Sequence, residues 1–480
     1  FKVLLGEVIE HKSRAMLDGQ IHDIDQVIEI VKEVRKRLED AAGIPLKKVA
    51  IAAAGRTLKT CEVKVEREID TDKEIDQELI SSLEIEGIQL AQMKLDDEVS
   101  NDENSQFYCV GYTVISYYLN GYVISNLKGH RGKKIGADML AAFLPHSVVD
   151  SLYTVMNNMG LEVVSLTLEP IAAINVAIPT DMRLLNLALV DIGAGTSDIA
   201  ITKDGSVIAY AMVPIAGDEI TERISKHYLV DFNTAEKIKL SLTSKKDSVS
   251  FVNVLGQKLK AQKEEILEVI NPVVEMLAQT ISQKITECNR KSPNAVFLIG
   301  GGSQLPGLAK LIASCLNIDE NRVVIRGKEI LKNIILNKTE TKKFSGPEVI
   351  TPIGIAITAL MQNGKDFFAV TVNGRKVRLF NTKRLTVADA LILIGFNPRQ
   401  LIGKTGKSLT FELNGVKKVV RGQYGKAAEI YVNGNQSDIE TIIKPGDCIT
   451  VVPAEDGADA QARVSDFVKN ANTINITFNG

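Results

Sequence analysis

Leu187-Ala188-Leu189-Val190-Asp191-Ile192-Gly193-Ala194-Gly195-Thr196-Ser197-Asp198 reads as a buried strand running straight into a glycine-rich turn. The plan recurs further on, where Ala295 to Ile299 runs into Gly300-Gly301-Gly302-Ser303. Glycine lets backbone N–H groups approach an anion with no Cβ in the way. Thr196 and Ser197 add hydroxyl donors. Asp191, at the strand end, is placed to hold a magnesium ion or its waters. Magnesium keeps most of its waters and takes few protein oxygens, so one carboxylate suffices. The second turn opens through Leu305-Pro306-Gly307-Leu308 into a helix, whose N-terminus suits a ribose or an α-phosphate. Either turn alone also fits an ordinary tight turn in an α/β sheet. Two of them in this order point to a bound nucleotide.

Outward from these turns, the pattern is α/β. Residues 1–22 alternate apolar and polar around a turn at Asp18-Gly19, which predicts a β-hairpin. Asp23 is a helix cap, followed by Ile24, Val27, Ile28, Val31, Val34 and Leu38 at helical spacing, and Gly43 ends the helix. Val49 to Ala54 reads as a strand. Pro145 to Met159 reads as a helix and Leu161 to Leu168 as a strand. Ile199 to Thr202 and Val207 to Val213 form a hairpin across Asp204-Gly205, and long helical patterns fill about 216–290.

The texture changes after about residue 364. Short strands recur around Asn373-Gly374, Asn414-Gly415, Asn433-Gly434 and Asn479-Gly480, with one helix at Val387 to Ile394. The end of the chain, Ile474 to Gly480, reads as a strand entering a turn. Charge is distributed unevenly. Glu66 to Glu103 holds 14 acidic and 3 basic residues, a local net charge of −11. Lys365 to Asp447 holds 14 basic and 7 acidic, a net of +7. The two regions can attract each other, within one chain or between neighbours, and they equally fit solvated surfaces of opposite sign.

The 480 residues are too many for one core, so two to four domains are expected. With 45% hydrophobic and 24% charged residues and a net charge of −2, no whole-molecule field argues for nucleic acid or membrane. No apolar run is long enough to span a bilayer. The five cysteines are scattered and read as reduced thiols of a cytoplasmic protein. The five histidines lack metal-site spacing.

Six segments in order resemble the actin, DnaK-type chaperone and sugar kinase ATPase superfamily. Asp191 to Asp198 followed by Ile199-Ala200-Ile201 is similar to its phosphate-2 loop, and Ile299 to Leu308 to its adenosine motif. Leu168-Glu169-Pro170-Ile171-Ala172-Ala173 and Thr351-Pro352-Ile353-Gly354-Ile355-Ala356-Ile357 resemble its two connecting segments. Ala216-Gly217-Asp218-Glu219-Ile220 and Thr234-Ala235-Glu236-Lys237-Ile238-Lys239 resemble MreB and chaperone patterns around the nucleoside. Within the superfamily, Asp18-Gly19-Gln20-Ile21-His22-Asp23 is similar to a stretch of FtsA, and PilM shares that plan.

The resemblance implies a two-lobed actin-like α/β fold that binds ATP and Mg2+ and is a weak ATPase at most. It implies that Asp191 positions the metal, that Gly193, Gly195, Thr196 and Ser197 hold phosphates, and that Glu169 orients the attacking water. Gly217, Glu236 and Lys239 would touch ribose or base, and Gly301, Gly302 and Ser303 would face the adenosine. Glu169-Pro170 also fits a plain helix start, and Glu236 with Lys239 fits a solvated i,i+3 pair. The family's phosphate-1 hairpin should lie before Phe1, and its absence would lower nucleotide affinity.

The expected domains are a first lobe at 1–65 and 166–183, an insertion at 66–165, a second lobe at 184–215 and 293–362, and a helical nucleotide-side subdomain at 216–292. A basic domain at 365–455 resembles the ThiS and ubiquitin-like β-grasp folds, without a Gly-Gly tail. Residues 456–480 read as a linker or the start of a further domain. Gly403-Lys404-Thr405-Gly406-Lys407-Ser408 resembles a P-loop ending, but Leu401 stands where that motif needs glycine, so a basic loop is expected.

The implied function is an FtsA-type cytoskeletal adaptor in cell division or envelope assembly. It would self-associate as a dimer or filament and meet an FtsZ-like protein or a pilus or membrane-protein tail. Its membrane contact would be indirect, at the inner face, and no nucleic acid is expected. A PilM-like scaffold and a chaperone-like ATPase are the alternatives.

Overall fold

The computed structural model describes the chain except residues 12–13, 100–106, 245, 328, 330–333, 337–345, 363–367, 380–384, 394–395, 397, 445 and 468–480. The chain divides into two units, Phe1–Gly364 and Lys365–Gly480. The reading of Ile474 to Gly480 lies outside the described residues.

In the first unit, β1 (Lys2–Val3) is followed by the small hairpin β2 (Met16–Leu17) and β3 (Gln20–Ile21), then α1 (Ile24–Ala42) and β4 (Lys48–Ala53). Asp23 caps α1, its carboxylate accepting the Gln26 amide at 3.0 Å, and Gly43 ends it at φ 70° with its N–H on Glu39 O. An insertion follows, made of β5 (Lys59–Glu68), α2 (Gln77–Val99), β6 (Phe107–Leu119), β7 (Tyr122–Ile124) and β8 (Lys134–Pro145). Its antiparallel sheet runs β5-β8-β6-β7. The next elements are α3 (His146–Asn158), β9 (Glu162–Leu168) and α4 (Glu169–Ala177), and β9 pairs in parallel with β4. The insertion's sheet thus occupies 59–145, earlier at both ends than the 66–165 expected. The charge run marks only α2 and its flanks, while α3 and β9 complete the α/β layer begun by β4.

The second layer holds β10 (Leu187–Ile192), β11 (Ser197–Lys203), β12 (Ser206–Val213), α5 (Gly217–Tyr228), α6 (Phe232–Ser241), β13 (Ser248–Val252), β14 (Lys258–Gln262), α7 (Lys263–Asn289), β15 (Ala295–Ile299), α8 (Leu308–Leu316), β16 (Val323–Ile325), β17 (Ile335–Leu336) and α9 (Ile350–Gln362). Its sheet order is β12-β11-β10-β15-β16, with β10, β15 and β16 parallel. Every residue of β10 is buried, because both faces are covered. Ala188, Val190 and Ile192 join a core with α5 to α8, while Leu187 and Leu189 join one with α4, α9 and β9. The expected all-helical stretch at 216–290 is interrupted by the hairpin β13–β14. β1 pairs in parallel with β17. The helices α4 and α9 approach closely because Gly354 has no side chain: a Cβ there would lie 2.2 Å from Ala172 O.

In the second unit, β18 (Phe368–Val372), β19 (Arg375–Leu379), α10 (Val387–Leu393), β20 (Leu409–Leu413), β21 (Val416–Val420), β22 (Glu429–Val432), β23 (Asn435–Ser437) and β24 (Cys448–Val452) follow in order. One sheet runs β19-β18-β24-β22-β23, with β24 parallel to β18, and β20–β21 is a separate hairpin. Asn373-Gly374, Asn414-Gly415 and Asn433-Gly434 all have positive φ, as two-residue hairpin turns require. Asn479-Gly480 lies outside the described residues, as does the last residue of the helix read at Val387 to Ile394.

The expected basic loop at 403–408 and the start of the stretch at 456–480, read as a linker or the start of a further domain, prove to be parts of one feature. Three segments, near 400–407, 422–428 and 454–460, lie side by side with glycines every third residue at 403/406 and 422/425, and Gly457 in the third segment. They are tied by Gly406 N–H to Gln423 O (2.9 Å), Gln423 N–H to Ala458 O (2.9 Å), Gly457 N–H to Lys404 O (2.8 Å) and Ala460 N–H to Lys407 O (2.9 Å). A period of three is that of polyproline-II-type rods, which pack tightly only around glycine. A Cβ at Gly406 would lie 2.0 Å from Ala458 O, and one at Gly457 1.9 Å from Gln423 O. The amides of Lys404 and Lys407 donate to Asp456 (2.7 Å) and Asp459 (2.6 Å). Residues 456–460 therefore belong to this unit.

Among the described residues, no helix is long and apolar enough to cross a membrane.

Candidate functional site

The two glycine turns stand side by side because β10 and β15 are parallel neighbours, with Asp191 opposite Ile299. Both lie on the second lobe. Gly300 has φ 79°, and a Cβ there would meet Asp191 Oδ1 at 2.3 Å. A Cβ at Gly302 would meet Ile192 Cγ2 at 2.5 Å and Gly193 O at 3.2 Å. Gly301 is exposed and faces open space.

Three carboxylates gather beside the turns. Asp191, 7% exposed, accepts a hydrogen bond from Thr351 Oγ1 at the start of α9. Asp198, 2% exposed, accepts one from Thr196 Oγ1 at 3.0 Å. Glu169 opens α4 from the first lobe, where its charge favours the helix N-terminus. Burial, and then the charges of Asp198 and Asp191, push the Glu169 carboxyl well above the ordinary range. Burial pushes Asp191 up to about 6 against the Thr351 hydrogen bond. Burial and the Asp191 charge push Asp198 up to about 7. Desolvated like charges resist simultaneous ionisation, and a cation would relieve them. No group of three His, Cys, Asp or Glu side chains among the described residues can hold a metal by itself. Asp191 beside Asp198 offers one or two carboxylates, as many as a cation that keeps most of its waters requires.

Several predicted contacts are already occupied within the chain. Ser197, fully buried, donates to Ile215 O at 2.7 Å and so holds the strand that leaves the turn. Ser303 is equally buried and donates to Gly300 O at 2.7 Å, closing its own turn. Each hydroxyl donates its proton to a backbone carbonyl, Ser303 within its own turn and Ser197 to the connection between β12 and α5. The Gly193 amide donates to Thr196 O (3.0 Å) and the Gly217 amide to Gly193 O (3.2 Å). Exposed Ala194 and partly exposed Gly195 are left at the turn's tip. Glu236 and Lys239 do pair, at 2.7 Å, but on the protein side: Lys239 Nζ reaches Gly217 O (3.0 Å) and Glu236 accepts from Thr221 (2.6 Å). This ties α6 to the N-terminus of α5 beside the phosphate-type turn.

Two contributors were not read from the sequence as site residues. Arg14, next to the first hairpin, reaches Glu222 at 2.8 Å and Asp218 at 3.4 Å on α5 and lies over the Phe232 ring, 5.1 Å from its centroid. The hairpin also backs the turn, since a Cβ at Gly195 would lie 2.8 Å from Asp18 N. Only the fold brings residues two hundred positions apart together. Thr351 is the second: the sequence placed it in a connecting segment, and only the fold brings its hydroxyl to Asp191. A separate cavity of about 640 Å³ lies elsewhere, between the insertion (Lys64, Lys94, Asp138) and the second lobe (Lys203, Cys288, Arg290).

With this geometry in view, residues 188–354 match the family model described as cell division protein FtsA. That stretch, about a third of the chain, is similar to FtsA. The chain is 23% identical over 335 residues to FtsA of Bacillus subtilis, covering 66% of this chain and 74% of that protein. It is 23% identical over 314 residues to FtsA of Escherichia coli K12, covering 62% and 72%. Among solved structures it is similar to a chain of the PilM-PilN type IV pilus biogenesis complex, with a TM-score of 0.53 and 16% identity over 72% of this chain and 88% of that one. The fold is therefore the two-lobed actin-like one, with the glycine turns on the second lobe and Glu169 entering from the first.

Proposed function

We propose that the chain binds ATP with magnesium at the glycine turns and acts as an FtsA-type, self-associating adaptor in cell division or envelope assembly, with weak ATPase activity at most. The observation that carries this reading is the convergence of Glu169, Asp191 and Asp198 on two adjoining glycine turns. Asp191 would hold the cation, largely through water. Bound there, magnesium would supply charge neutralisation for the phosphates. The exposed Ala194 and Gly195 end of the first turn, and Gly301 in the second, present backbone to a phosphate or nucleoside. With Asp191 committed to the cation, Glu169 is left as the carboxylate able to accept a hydrogen bond from a water facing the terminal phosphate. Grip from both lobes would link nucleotide state to lobe closure.

The order β19-β18-β24-β22-β23 with one helix supports reading the second unit as β-grasp-like. The acidic insertion and the basic second unit are the surfaces we propose for self-association. Partners of the FtsZ-like or membrane-tail kind are proposed from the relatives, and likeness to PilM favours a nucleotide-bound scaffold as the second reading.

The test is equilibrium binding of a fluorescent ATP analogue, with electron microscopy of the full chain with and without ATP. Asp191→Asn is expected to weaken magnesium-dependent binding by at least about tenfold, the scale of a charge-assisted contact. ATP-dependent filaments favour the FtsA-type reading. Tight capture of a membrane-protein tail peptide without filaments favours the scaffold. A wild-type chain that binds no nucleotide sinks both.

A further inference from the structure

We propose that Thr351 is the positioning residue for the cation at Asp191, and that through it α9 senses whether the cation is present. This rests on the nucleotide reading above. Thr351 is the second residue of α9, and its hydroxyl donates to Asp191 Oδ2. A donor on one carboxylate oxygen fixes the plane of the group. It leaves Oδ1 on the side of Gly300, where the glycine gives it room: a Cβ there would stand 2.3 Å away. The hydroxyl orients Asp191 without adding charge to a place that already holds three carboxylates.

The same helix makes the closest contact between connecting elements. Gly354, three residues on, lies against the Ala172 carbonyl of α4. Thr358, one turn further, accepts from Asn175 of α4 at 3.0 Å. α4 begins at Glu169. One helix therefore touches the metal carboxylate at its start and then the helix that carries the water-side carboxylate. A cation that draws Asp191 toward itself changes the hydrogen bond Thr351 makes, and α9 is the element that feels it. Valine fills the threonine shape but lacks the hydroxyl, so it separates the hydrogen bond from packing.

The experiment uses the full chain and a fluorescent ATP analogue, with affinity measured in magnesium and in EDTA for wild type, Thr351→Val and Thr351→Ser. Hydrogen exchange of α9 is followed under the same conditions. Expected for Thr351→Val is an about tenfold loss of the affinity gain that magnesium gives, the scale of a hydrogen bond to a charged group. Affinity in EDTA is expected to stay unchanged, and α9 to gain no protection on binding magnesium and nucleotide. Thr351→Ser restores both. Should the valine variant not fold, Thr351→Cys, a weak donor of similar size, carries the same comparison. A hydroxyl-free variant that keeps the full magnesium gain and the α9 protection overturns the proposal. A wild type that binds the analogue equally with and without magnesium also overturns it while leaving the nucleotide reading intact. A wild type that binds no nucleotide overturns both.

Discussion

Gly300-Gly301-Gly302 in the first unit and Gly403 with Gly406 in the second have similar sequence texture and opposite surroundings. The first set borders buried carboxylates, and Gly301 faces open space. The second set is pressed backbone against backbone, with lysine amides held by Asp456 and Asp459. Glycine spacing alone does not separate a turn that can receive a ligand from a rod that must exclude side chains. What separates them is what a Cβ would strike.

The largest expected effect comes from filling a rod. Gly457→Ala puts a methyl group 1.9 Å from Gln423 O and 2.8 Å from Tyr424 C, both backbone atoms of the neighbouring segment. We expect a loss of about 3 kcal/mol or more, typical of forced overpacking against backbone. Urea unfolding followed by hydrogen exchange should show it in the second unit, with nucleotide binding by the first unit intact. A cost under about 1 kcal/mol would break the comparison at the rod end.

A middle-sized effect concerns the carboxylates. Asp191 and Asp198 have folded pKa values of about 6 and about 7, raised above those of the unfolded chain. The stability linked to each is fully present below the unfolded value near 4 and is lost as pH rises through about 6 and then about 7. In EDTA the first unit should weaken by on the order of 2 kcal/mol between pH 5 and pH 8. Magnesium or Asp198→Asn should flatten that slope. Stability that climbs over the same window would show the cluster is compensated by something other than a bound cation.

The smallest effect on stability sharpens the contrast most. Gly301→Ala meets nothing within 4 Å. Its stability should stay within about 0.5 kcal/mol of wild type. If the turn receives a nucleoside, affinity for the ATP analogue should nonetheless fall several-fold. Unchanged affinity would return Gly301 to the role of an ordinary turn glycine.

Much of this was legible in sequence where one local cause dominates. A fully apolar strand before Asp191 and another before Gly300 predict buried strands, and the structure pairs them in parallel so that their turns stand together. Asp23, Gly43 and the three described Asn-Gly pairs announced their caps and turns. What stayed hidden depends on residues far apart. Ser197 and Ser303 looked like ligand donors because hydroxyls beside glycine suit phosphate, but each donates to a backbone carbonyl, Ser197 to one eighteen residues on and Ser303 to one in its own turn. Arg14 and Thr351 earn their places through the fold alone. The insertion boundaries slipped because charge marks a surface and not the partner of a strand. The rods were missed because a glycine period of three, with apolar residues following neither a helix nor a strand period, carries no burial signal.

The strand order of the second unit bears on how it is made. Among the described residues β24, which joins β18 to β22, is the last strand of its sheet to leave the ribosome, and the third rod follows it directly. Until residue 460 has emerged, the hairpins on either side have no shared middle, and two rods wait with bare backbone showing. During synthesis this unit is therefore a set of unfinished parts that closes in one late step, and any stall or clip shortly before that point leaves sticky edges for chaperones and proteases to find.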